Sequence, residues 1–152
     1  MSAGRKQHYV YKKKIMNKKF LLATAAAFVA LFIINSIWFG FLFKDWYMEN
    51  MNAASDENIA MHAFAELCYA LLLAWIYPLG YKTGSSMSQG IKFGVLMGLV
   101  YSLPVNLHHH ASMGGSWEIP CFFIANGLIV SVAAGIAIAM VYGAKSSAPS
   151  AS

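Results

Sequence analysis

The chain has 152 residues, 59% hydrophobic and 11% charged, with 11 Lys and Arg against 6 Asp and Glu. Soluble domains typically carry about 25% charged residues, so the composition excludes an ordinary water-soluble fold and leaves no room for a separate soluble domain beside the apolar segments. The net charge of +5 is a matter of placement, and its position argues against nucleic acid as a partner and for membrane lipids.

Residues 1–19 form a basic arm holding Arg5, Lys6, Lys12, Lys13, Lys14, Lys18 and Lys19, seven of the eleven cations. The arm abuts the first apolar run, residues 20–43. Ala23-Thr24-Ala25 matches a small-x-small cleavage pattern, but it lies at the start of the run and cleavage sites lie at the end. The run is therefore read as a retained span. Trp38, Phe39, Phe41, Phe43, Trp46 and Tyr47 mark its far interface, where amphipathic rings prefer to sit. Residues 44–58 read as a loop, with Lys44 set against Asp45, Glu49, Asp56 and Glu57, and with Ser55 as the expected N-cap of the next helix.

The second span covers 59–81 and is closed by Pro78 and Gly80, with Tyr77 and Tyr81 at its near interface. A short turn follows, built from Gly84, Ser85, Ser86 and Ser88 and flanked by Lys82 and Lys92. The third span covers 90–107, and Pro104 is expected to kink or loosen its last turn. Residues 108–118 form a loop with Glu118 and no Lys or Arg. The fourth span covers 119–142, with Pro120 suited to its first turn, Trp117, Phe122 and Phe123 at one interface, and Tyr142 at the other. The Ser/Ala/Pro-rich tail 144–152 reads as disordered.

Each run matches the length needed to cross a hydrocarbon core of ~30 Å as a helix. The expected fold is an all-α, integral membrane four-helix bundle over residues 20–143. Positive loops alternate with non-positive ones, which places both termini and the 82–90 turn in the cytoplasm and the 44–58 and 108–118 loops outside.

Spans three and four carry a packing pattern. Gly90, Gly94, Gly98 and Ser102 recur every fourth residue, as do Gly127, Ser131, Gly135 and Ala139. Each set makes a ribbon of small side chains on one helix face, and close backbone approach drives helix association in lipid. The ribbons are expected either to pack inside the bundle or to dock another subunit.

Polar groups inside a bilayer are costly and need partners or a function. Asn35, His62, Glu66, Asn106 and Asn126 all fall in the outer halves of their spans, with His108, His109, His110 and Glu118 beside them. His62 and Glu66 share a helix face at i, i+4. Glu66 is the leading candidate: it can be protonated, pair with His62, hold an ion or proton in transit, or accept a structural bond from Asn35, Asn106 or Asn126. Imidazole suits Zn, Cu or Ni, but three consecutive histidines on a regular helix point about 100° apart. If Pro104 disturbs the backbone, two of them can converge with Glu66, Glu118 or His62. The alternatives are a solvated interfacial loop or ligation of a haem or chlorin. Cys68 and Cys121 read as packed small side chains, with a disulfide left open. No nucleophile elbow, phosphate loop, dinucleotide fingerprint or paired-cysteine metal motif occurs.

The segments SIWFGFLFKDWY (36–47), ELCYAL (66–71) and GIKFGVLMG (90–98) resemble a bacterial group of small four-span membrane proteins catalogued only as a domain of unknown function. The resemblance implies a stand-alone four-helix unit in a bacterial inner membrane, brings no activity with it, and does not include the His108–His110 run. The expected function is that of a non-catalytic accessory or assembly subunit that packs through its glycine-rich helices with itself or with other membrane subunits. The alternative is a small transporter or metal- or proton-binding protein using Glu66, His62 and His108–His110 at the outer mouth. No cofactor is assigned.

Overall fold

The computed structural model describes residues 3–51, 58–81 and 87–143. Their regular structure is entirely helical: α1 (Ala3–Ile37), a π-helical segment that continues it (Trp38–Leu42), α2 (Lys44–Met51), α3 (Ile59–Gly80), α4 (Met87–Met113) and α5 (Glu118–Gly143). Four stretches are long and apolar enough to cross a membrane: Lys18–Leu42, Ile59–Gly80, Met87–Met113 and Glu118–Gly143. Large apolar side chains such as Leu22, Phe41, Leu72, Trp75, Leu96 and Val100 cover the outside of the bundle. A water-soluble bundle turns a polar face outward, whereas an exterior of this kind is consistent with a transmembrane bundle.

The elements depart from the sequence reading at several points. The region read as a loop after span one begins with a helical segment, α2. The basic arm is helical from Ala3 and continuous with the first span. The N-cap assigned to Ser55, which lies outside the described residues, is supplied instead by Asn58, whose side chain accepts from the Met61 N–H at 3.1 Å. Gly84, Ser85, Ser86 and the tail also lie outside the described residues, while Ser88 belongs to α4.

Pro104 does not end α4, which continues for nine residues to Met113. Proline deprives the Val100 carbonyl of its helical N–H. The side chains of Ser102 and Asn106 donate to the carbonyls of Gly98 and Ser102, both at 2.7 Å, on either side of that gap. Helix α4 ends at Gly114, which sits at φ 68° and bonds back to the His110 carbonyl at 2.8 Å, followed by Gly115 at φ 98°. Only glycine enters that region without steric cost, so this pair turns the chain into α5.

The tightest packing joins α4 to α5. A Cβ placed on Gly94 would lie 2.5 Å from the Ser131 carbonyl oxygen and also meet the Val132 backbone. One on Gly90 would lie 2.7 Å from the Gly135 carbonyl and 2.8 Å from the Ala139 Cβ. One on Gly127 would lie 2.5 Å from the Ser102 Cβ, and one on Gly135 would meet the Gly90 carbonyl. The two small-residue ribbons therefore face each other within one chain.

Helix α1 lies against both α5 and α3. At one end of the bundle Lys19 Nζ donates to the Tyr142 carbonyl at 3.2 Å, placing a cation at the negative end of the α5 dipole. Between α3 and α4 the space is filled by rings: Tyr69 stacks on Tyr101 at 4.8 Å, and Tyr77 stacks on Tyr81 and meets Phe93 edge-on, each at 5.0 Å. Tyr77, expected at the interface, is completely buried. Tyr142 stacks on it at 5.7 Å and donates to the Ala74 carbonyl at 3.1 Å. Deeper in, Tyr69 and the fully buried Ser131 share a hydroxyl–hydroxyl bond of 2.9 Å.

Candidate functional site

The candidate site begins with the helix faces that line it. Phe32, Asn35, Ser36 and Phe39 recur at i, i+3, i+4 and i+7 and form one stripe of α1. Ile59, His62 and Glu66 form the matching stripe of α3. Between these stripes, with Phe123 of α5 and Lys44, Tyr47 and Met48 of α2, lies a pocket of about 540 Å³. Glu66 lies seven residues into α3, which at 1.5 Å per residue is ~10 Å below the helix start.

The π-helical segment shapes the upper wall. Phe43 N–H bonds to the Trp38 carbonyl at 2.9 Å, an i→i+5 closure that accommodates one extra residue per turn. Phe39 and Gly40, both in this segment, line the pocket. Around them the aromatic residues lock together. Phe122 contacts Trp46 at 4.3 Å, Phe43 at 5.2 Å and Trp38 at 5.5 Å, and Phe39 packs on Tyr47 at 5.1 Å. Of the rings read as separate interfacial markers, Trp38, Phe39, Phe43, Trp46, Tyr47, Phe122 and Phe123 form one cluster that ties the π-helical segment, α2 and α5 together, whereas Phe41 and Trp117 stay exposed outside it.

Asn35 Nδ2 donates to Glu66 Oε1 at 2.8 Å, and Asn126 Nδ2 donates to Asn35 Oδ1 at 3.2 Å. Three helices thus contribute to one polar chain, and both amides aim their donors toward the carboxylate. Asn126 is 8% exposed, so the chain is anchored in the protein interior. The second carboxylate oxygen, Oε2, is buried with no partner. An ionised carboxylate accepts at both oxygens, so Oε2 retains unmet acceptor capacity.

The other sequence candidates fall elsewhere. His62 lines the pocket one turn from Glu66, but Glu66 bonds to Asn35. Asn106 bonds within its own helix, to the Ser102 carbonyl. His108 and His109 are exposed on α4, and Glu118 is exposed at the start of α5. His110 packs its ring on Trp117 at 3.9 Å. The convergence considered for the histidines is absent because α4 stays regular past Pro104 and the imidazoles fan out around it. Among the described residues, no three His, Cys, Asp or Glu side chains are grouped as a metal ion requires. Cys68 and Cys121 are free thiols on exposed faces, not packed side chains and not a disulfide.

Sequence reasoning missed the apolar part of the site. The Phe32/Asn35/Ser36/Phe39 spacing was a readable signal, since it places two rings on the same face as a polar amide. Lys44, Tyr47 and Met48 could not be placed, because α2 was read as loop. Comparison with family models, curated proteins and solved structures finds no match to this chain.

Proposed function

We propose that the chain is a non-catalytic, multi-pass protein of a bacterial inner membrane whose working part is a cation- or proton-binding site opening on the non-cytoplasmic side. The observation that carries this reading is the Glu66 carboxylate: it lines a pocket ~10 Å inside an apolar helix, is held at one oxygen by the Asn126–Asn35 chain, and has its other oxygen buried without a partner. A carboxylate in such surroundings is expensive to maintain unless it meets a proton or a positive charge. The orientation, with both termini in the cytoplasm, rests on the lysines that precede the first apolar run and the lack of Lys or Arg between α4 and α5.

The working group is tested in proteoliposomes containing the purified full chain and a pH-sensitive dye. Imposed gradients of monovalent cations are expected to produce a pH change that Glu66→Gln abolishes. An identical response from the Gln variant would remove the reading. Orientation is tested separately in a Cys68→Ala, Cys121→Ala background. A single cysteine at His109 should react with an impermeant thiol reagent added to intact cells, whereas one at Lys13 should react only after permeabilisation.

A role as a subunit of a larger assembly remains compatible with the exposed apolar sides of α3 and α4. On that reading a partner would meet those sides, since the glycine ribbons pack on each other.

A further inference from the structure

The pocket's chemistry narrows the ligand, an inference that rests on Glu66 being the working group. We infer that the site takes an organic monocation: a primary ammonium carrying an apolar, preferably aromatic, body.

The pocket is larger than a bare ion needs. The pocket measures about 540 Å³, within the ~300–1,000 Å³ typical of sites for small organic molecules. Among the described residues no three His, Cys, Asp or Glu side chains are grouped to hold a metal ion. Among the described lining residues the pocket offers one carboxylate, whose buried Oε2 lacks a donor, and an ammonium supplies donors together with the opposite charge.

The walls suit the rest of such a molecule. Phe32, Phe39 and Phe123 line the same pocket as Glu66, and aromatic faces attract cations as well as apolar groups. The remaining titratable groups limit the charge. Lys44, exposed at the start of α2, lines the pocket, as does His62. A fixed ammonium in the same pocket opposes a second positive centre, so the geometry favours one charge over several.

The test uses the purified full chain in mild detergent and equilibrium dialysis with radiolabelled 2-phenylethylamine. Neutral 2-phenylethanol, spermine, sodium and zinc serve as competitors. Saturable binding is expected, resisted by the alcohol and by spermine. Glu66→Gln should weaken it by about tenfold or more, since it keeps the side chain's shape and an oxygen for Asn35 while removing the charge. Phe32→Leu should weaken it by about threefold, the loss expected of one partly exposed cation–π contact. Helix content of both variants is checked by circular dichroism. Equal competition by the alcohol, or binding unchanged in Glu66→Gln, overturns the organic-cation inference. If sodium or zinc binds in a Glu66-dependent way and the amine does not compete, the ligand class falls but Glu66 stands. If no probe responds to Glu66→Gln, both fall.

Discussion

The α4–α5 contact gives the sharpest test of how the bundle is held together. A Cβ at Gly94 would lie 2.5 Å from the Ser131 carbonyl oxygen and 2.8 Å from the Val132 backbone nitrogen, whereas ordinary contacts begin near 3.4 Å. The obstacle is backbone, so no side chain can rotate away. Relief requires the helices to part locally by about 0.9 Å. A gap of roughly 0.5–1 Å forfeits about a quarter to a half of each dispersion contact along the seam. Overpacking of this kind costs about 1–3 kcal/mol, and the better helix propensity of alanine returns up to about 1 kcal/mol. Gly94→Ala should therefore lose about 1–2 kcal/mol net. Gly80→Ala is the internal control, because a Cβ there meets nothing within 4 Å. Reversible unfolding of the full chain in mixed detergent, followed by far-UV circular dichroism, measures both. If Gly94→Ala proves as stable as Gly80→Ala, the close approach of the two backbones is not what holds the pair.

Two further outcomes follow from single contacts. Tyr69→Phe removes one partner of the 2.9 Å bond to the fully buried Ser131 and should cost about 1–2 kcal/mol, measured in the same unfolding assay. Most of that loss should vanish when Ser131→Ala is already present, because no buried hydroxyl is then left unpaired. Phe122→Ala empties the centre of the cluster joining Trp38, Phe43 and Trp46. It should cost about 2–3 kcal/mol, below the usual range for a fully buried ring because Phe122 is half-buried. Quenching of tryptophan fluorescence by acrylamide should rise in parallel.

What could be read from the residues alone depended on the range of the interactions involved. Long apolar runs bounded by charge mark spans directly, because backbone hydrogen bonding in lipid permits little else, and the described helices match the four runs. The four-residue spacing of Gly90, Gly94 and Gly98 identified a face but not its neighbour, since either α5 or a second molecule would satisfy the same pattern. Glu66, Asn35 and Asn126 were recognisable as a set because alternating spans bring their polar ends together. The histidines misled because α4 continues past Pro104 to Met113, which keeps His108, His109 and His110 on one regular helix. The burial of Tyr77 was invisible for a similar reason. A tyrosine near the end of a span satisfies the interfacial pattern whether its ring faces outward or, as here, meets Phe93 of α4 and Tyr142 of α5.

The hairpin of α4 and α5, turned by Gly114 and Gly115, bears on how the molecule is made. Translation delivers α1 and α3 before α5, the helix against which α1 packs. Until then Asn35 and Glu66 have only each other. The arrival of α5 brings Asn126, which completes the polar chain, and Phe123, which completes the pocket wall.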